Sequence, residues 1–301
     1  MKKIFYIFST LILFVSCEKD ITVDLPQPEE KYVVEGYIEQ YQHPYVFISK
    51  NSAYFEEISL SSIMEKMVLD AEVTVSDGFT TEVLELIYDS LQFPYYKYVG
   101  STIIGEAGKK YDLTIKIGSE VLTASTFIPN PVQLDSIKYI CETDYEIGND
   151  TIDSLGLGFL WFYFTDPDTL GNYYKMYTKV LGEDSIFYPP FASVSEDKII
   201  NNQFVEFSTY RGQDPLIEIP DDEYYKWFFK GGDTIIFKFQ TIDVRTYQFW
   251  YTLEMDNSSG GPFSTPITVR TNIDGGLGIW GGYGVFIDTT IAKLKNDFLA
   301  K

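Results

Sequence analysis

The chain has a single histidine, two cysteines, and 23 basic residues against 44 acidic ones. Each scarcity removes a class of function. Ser-His-Asp and Cys-His catalysis would both have to run through His43, and so would any metal site built on imidazole. His43 precedes Pro44 in a polar stretch and reads as an ordinary loop residue. The formal net charge of −21 repels phosphate backbones at long range, so nucleic acid is not an expected partner. No Gly-x-Ser-x-Gly, Walker A or dinucleotide fingerprint occurs, and there is no repeat of fixed period. No cofactor is expected. A hydrolase working with carboxylates alone survives these absences, because acids are abundant, yet no acid pair stands out.

What is present begins at Met1. Lys2 and Lys3 precede an apolar run from Ile4 to Val15 that is broken only by Ser9 and Thr10. A basic start, a short apolar segment and a small residue before the break mark a secretory signal. The run is too short to span a bilayer, which takes roughly 20 apolar residues. Ser16-Cys17 at its end resembles the lipobox of bacterial lipoproteins. That resemblance implies cleavage after residue 16 and acylation, palmitate included, of the Cys17 sulfur. A thiolate suits this chemistry as a strong nucleophile. Glu18-Lys19-Asp20 is similar to the surface-export signal of Bacteroidota lipoproteins, although Ile21 stands where a second acid is common. Residues 17–31, acidic and proline-containing, read as a tether.

With Cys17 lipidated, Cys141 has no partner, and the fold must rest on its core. Cys141 alternates with its neighbours like a buried strand residue. Hydrophobic residues make up 45% of the chain and aromatics 17%, enough for a substantial core.

From Tyr32 onward the pattern is strand after strand. Tyr32–Ile38, Tyr45–Ser49, Ala71–Val75, Thr81–Leu86, Tyr111–Ile117 and Val121–Phe127 are β-branched and aromatic, with turns at Asp77-Gly78 and Gly118-Ser119. Such spacing predicts an immunoglobulin- or fibronectin-like β-sandwich over 32–130. Gly108-x-x-Tyr111-x-Leu113 resembles the tyrosine corner of those sandwiches, where the Tyr hydroxyl bonds backbone upstream. Residues 58–69 read as a loop with one helical turn. Pro129-Asn130-Pro131 ends the first domain, and 131–301 forms a second, aromatic-rich antiparallel β domain with one or two helices. There Leu157–Phe164 reads as a strand buried on both faces. Arg245–Met255 reads as a helix carrying Tyr247, Trp250, Tyr251 and Met255 on one face, and Thr289–Lys301 as a terminal helix. The chain is thus expected to be all-β.

Three further stretches bear on a site. Asp166 and Asp168 alternate in a turn, spacing that suits oxygen ligands of calcium but equally an Asp-Pro turn. The glycines between Asn272 and Tyr283 lack a basic residue and read as a structural turn rather than a phosphate cradle. Trp227, Phe228 and Phe229 lie in an acid-flanked aromatic stretch and are candidate ligand or partner contacts.

Several motifs together resemble the Bacteroidota lipoprotein family of domain-of-unknown-function 4249. They are the lipobox with its acidic stretch, Tyr32-Val-Val-Glu-Gly-Tyr-Ile38, the Gly108-x-x-Tyr111-x-Leu113 turn, and the Thr123-to-Pro129 exit. Asp166-Pro167 with Asn172-Tyr173-Tyr174 follows, then Asn272-Ile-x-Gly-Gly-Leu-Gly-Ile-Trp280, in which Trp280 stands where Phe is expected. The resemblance covers nearly the whole mature chain. It implies an outer-membrane lipoprotein, an accessory or lid subunit beside a TonB-dependent receptor, and it assigns no catalytic residues.

Overall fold

The computed structural model describes residues 29–52, 59–90, 93–141, 156–214, 217–258 and 267–293. The signal at 1–16, the Cys17 lipidation site and nearly all of the tether lie outside the described residues. Lys31–Asn51 and the described residues from Ser59 on belong to one compact unit. It is mostly β, as expected.

The strands in chain order are β1 (Tyr32–Glu39), β2 (Tyr45–Lys50), β3 (Glu72–Ser76), β4 (Thr81–Val83), β5 (Glu85–Tyr88), β6 (Tyr96–Val99), β7 (Lys110–Ile117), β8 (Glu120–Phe127), β9 (Ser136–Cys141), β10 (Gly158–Thr165), β11 (Tyr173–Val180), β12 (Val194–Glu196), β13 (Phe204–Thr209), β14 (Thr234–Ile242) and β15 (Leu277–Ile291). The helices are α1 (Leu60–Glu65) and α2 (Val244–Ser258), with a 3-10 helix over Asp221–Trp227. One sheet has eight strands in the order β12-β11-β14-β15-β1-β2-β6-β5; a four-stranded sheet runs β4-β3-β7-β8 and a three-stranded sheet β13-β10-β9.

The eight-stranded sheet joins both halves of the sequence. β15 lies parallel to β1, Val34 opposite Gly278 and Gly36 opposite Trp280, and its far end is antiparallel to β14. Two cores sit against this sheet. In one, Val34, Ile38, Val46 and Ile48 pack with Val73, Val75, Leu113 and Ile115 of the four-stranded sheet. In the other, Tyr174, Phe237 and Phe239 pack with Leu160, Phe162 and Phe164 of the three-stranded sheet. Residues 34–128 supply the first core together with Ile273 and Trp280, and residues 134–292 the second. The Pro129-Asn130-Pro131 stretch therefore separates two cores but not two sheets.

Local chemistry explains the joints. The Tyr111 hydroxyl accepts from the Glu106 N–H at 2.8 Å and donates to the Ile104 carbonyl at 3.3 Å, the upstream bonding expected of the corner. The Thr81–Leu86 run splits at buried Leu84, with β4 and β5 entering different sheets. Ser59 caps α1 through a capping box with Ser62. Asp243 Oδ1 caps α2 by accepting from the Arg245 and Thr246 N–H groups at 2.8 and 2.9 Å.

Three expectations change. The glycine-rich stretch is a turn only through Asp274–Gly276; from Leu277 it is strand, because its glycines let neighbouring chain approach. A Cβ at Gly278 would lie 1.9 Å from the Val34 carbonyl oxygen, and φ there is +104°. Thr289–Ile291 continue β15, paired with Thr234–Ile236, so the terminal helix does not begin at Thr289; residues 294–301 lie outside the described residues. On α2 the covered face is Thr246, Phe249 and Trp250, whereas Tyr251 and Met255 are exposed.

Candidate ligand-binding site

Strand alternation puts Val34, Gly36 and Ile38 toward the core, and so turns Glu35, Tyr37 and Glu39 to the opposite face of the eight-stranded sheet. The same alternation presents Lys175, Tyr177 and Lys179 from β11, Lys238 and Gln240 from β14, Tyr283 from β15, and Tyr45 and Phe47 from β2. This face is charged and aromatic; α2 covers part of it, while Glu35 stays open to solvent. Trp250 of α2 donates its indole N–H to the Tyr283 hydroxyl at 3.1 Å. Glu254 of α2 accepts the Ser193 N–H at 3.1 Å and the Ser193 hydroxyl, tying the helix to the segment that follows Phe187. Beside the part covered by α2, Phe93-Pro94 and Ser185–Phe187 meet the sheet around a cavity of about 400 Å³. Its walls include Glu35, Tyr37, Glu39, Tyr45, Tyr177 and Lys238.

The floor is a ring stack, with Tyr37 centred 4.9 Å from Tyr45 and 5.5 Å from Tyr283. Glu39 is fully engaged: Lys238 Nζ donates to both its oxygens at 3.0 and 3.2 Å, and Gln240 Nε2 donates at 3.0 Å. Lys238 also sits 4.4 Å from the Phe187 ring centre. Lys179 Nζ donates to the Ser185 carbonyl at 2.8 Å. Lys175 is 1% exposed; its ammonium donates to Ser193 Oγ at 2.8 Å, lies 3.7 Å from Glu254, and is centred 4.1 Å over Trp250 and 4.9 Å over Tyr177. Burial lowers its pKa to about 8, opposed by the charges of Glu254 and Glu35.

Glu35 differs from its neighbours. Its carboxylate opens into the cavity and, among the described residues, takes a hydrogen bond only from the Tyr37 hydroxyl. Its pKa is raised by the surrounding walls, against the Tyr37 bond and the Lys175 charge. Burial likewise raises Tyr37, Tyr45, Tyr177 and Tyr283, and each feels the Glu35 charge. The Tyr45 and Tyr177 hydroxyls have no protein partner among the described residues. The arrangement can hold a small molecule between rings and offer it one uncommitted carboxylate and two free hydroxyls.

The residues singled out from sequence fall elsewhere. Trp227 and Phe228 line a separate apolar depression with Phe191, Tyr210 and Tyr224; the buried Phe228 ring packs edge-on to Phe159 and Tyr210. Phe229 is fully buried in the second core, paired to Gly158, and leaves the candidate set. Asp166 is buried and accepts the Tyr174 hydroxyl, with its pKa raised chiefly by burial. Asp168 is exposed, so the alternating acids do not converge. No group of three acidic, histidine or cysteine side chains suited to a metal occurs among the described residues. His43 shares a 2.8 Å hydrogen bond with the Ile103 carbonyl through Nδ1, a loop tie, and Cys141 is a half-buried free thiol. The cavity residues carried one signal in sequence: charged and aromatic residues sharing the polar phase of strands whose other phase is apolar, which reads as a solvent face until Phe93-Pro94 and Ser185–Phe187 are placed at its rim.

Fold and cavity together define an all-β protein with a mixed-charge aromatic cavity on the face of a shared sheet. The chain matches the model of a domain of unknown function, DUF4249, over residues 18–287, and it belongs to that family. No curated protein matches it.

Proposed function

We propose that this chain is an outer-membrane, surface-exposed lipoprotein, anchored through Cys17, whose cavity binds a ligand on behalf of a TonB-dependent nutrient transporter. In this reading it serves the transporter as an accessory or lid subunit. The observation that carries the binding role is the recessed cavity of about 400 Å³ lined by Glu35, which has no cationic partner among the described residues. A flat, purely structural surface offers no such recess. The lipobox at Ser16-Cys17 supports the anchor, and the family resemblance supports the receptor. No helix of the described residues is long and apolar enough to cross a membrane, which suits anchoring by acyl chains and leaves strand-built spans untouched.

The alternative is a carboxylate-dependent hydrolase acting through Glu35 and Glu39. The geometry favours binding. Glu39 is committed to Lys238 and Gln240. The deciding experiment is a mild-detergent pull-down of the tagged, lipidated chain from its own envelope, read by mass spectrometry. One stoichiometric TonB-dependent receptor is the expected product. Recovery of the chain alone would sink the stable-subunit role.

A further inference from the structure

We propose that the cavity selects ligands carrying an ammonium group on a small apolar body, with Glu35 as counter-ion and the rings of Tyr45 and Phe47 as walls. The inference deepens the binding role above and rests on it.

The first argument is a census of charge. Of the four charged side chains lining the cavity, Glu39 and Lys238 neutralise each other, and Lys179 keeps its charge while its ammonium is turned to the Ser185 carbonyl. Glu35 alone faces the space without a cation in hydrogen-bond reach. Lys175 senses Glu35 electrostatically, but it is sealed beneath α2 and donates to Ser193. Among the groups facing Glu35, namely Tyr37, Tyr45, Tyr177, Tyr283 and Lys175, none supplies a cationic hydrogen bond. A solvent-reached carboxylate recessed among rings is placed to pair with an incoming donor of positive charge.

The second argument is the rings. The cavity's surroundings already hold ammonium groups on aromatic faces: Lys175 over Trp250 and Tyr177, and Lys238 over Phe187. Tyr45 and Phe47, which line the cavity, have no ammonium over them among the described residues, so the same attraction is left for a guest. The long-range field agrees, because a chain of net charge −21 concentrates cations and repels anions.

The test uses the full-length lipidated protein in non-ionic detergent, titrated calorimetrically against micelle blanks with three compounds of one shape. These are phenethylamine, phenethyl alcohol and phenylacetate. The amine is expected to bind at least about tenfold more tightly than the alcohol, and phenylacetate more weakly still. Glu35→Gln is expected to cut amine binding by about tenfold or more and to bring amine and alcohol together. Glu72→Gln, which removes an exposed acid paired with Lys116 on the four-stranded sheet, should leave the titration unchanged. Equal or tighter binding of the alcohol or of phenylacetate would overturn the amine selection while leaving a ligand-binding cavity in place. Binding of none of the three, or an amine affinity untouched by Glu35→Gln, would also overturn it. The pull-down decides the transporter role independently of all these results.

Discussion

At the scale of single residues, Lys175 and Trp280 show what the shared sheet tolerates. Lys175 holds its proton less tightly in the folded chain, at about 8, than the ordinary 10.5. Between those values the unfolded chain carries a proton that the native chain does not, so stability rises with pH across that window. Below about 8 both states are protonated and a constant penalty remains, on the order of 3 kcal/mol. Lys175→Met should therefore be at least as stable as the parent at pH 7, since Ser193 keeps Glu254 as its partner. It should also flatten the rise between pH 8 and 10 in chemical denaturation. A variant markedly weaker at pH 7 would mean that the ammonium stabilises the fold. Trp280 donates its indole N–H to the Tyr111 carbonyl at 3.0 Å, and a Cβ at Gly36 would stand 2.7 Å from its ring. Trp280→Phe removes that bond and part of the buried ring, and should cost about 2 kcal/mol in unfolding free energy. Gly36→Ala should be tolerated better in that background than alone, a coupling readable in a double-mutant cycle.

At the scale of elements, the molecule depends on the parallel pairing of β1 with β15, and this is where sequence reading fell short. Strands with clean alternation, such as Tyr111–Ile117 and Val121–Phe127, were legible because one apolar phase names the buried face. The tyrosine corner was legible because its spacing encodes a bond. The pairing of Tyr32–Glu39 with Leu277–Ile291 was not, because parallel strands need no turn between them and register leaves no local mark. The site was illegible for the same reason: Glu35, Tyr177 and Lys238 come to one cavity only once β1, β11 and β14 share a sheet. Gly278 tests the pairing. Its positive φ and the 1.9 Å approach of a Cβ to the Val34 carbonyl leave no room for a side chain. Gly278→Ala is expected to abolish cooperative unfolding, whereas Gly171→Ala, in an exposed turn with φ +101° and nothing near a Cβ, should cost only about 1–2 kcal/mol. Comparable melting of the two variants would show that the β1–β15 ladder is dispensable.

At the scale of the whole molecule, the charge of the body and the proposed anchor make opposite contributions to membrane attachment. A net charge of −21 repels anionic headgroups, so electrostatics cannot hold the chain to a lipid surface. Attachment then rests on acyl chains at Cys17, each methylene contributing about 0.8 kcal/mol, and one chain alone binds only marginally. Two consequences separate this anchor from a peripheral association. Washing membranes with concentrated salt should release none of the parent protein, because screening weakens only charge-based attachment. Cys17→Ala should lose incorporation of labelled palmitate and leave the outer-membrane fraction at any ionic strength. The buried core begins at Val34, so the variant should keep the parent's melting temperature. A Cys17→Ala protein that still takes up palmitate, or that stays in the outer-membrane fraction until salt removes it, would assign the attachment to the folded body and end the lipoprotein reading.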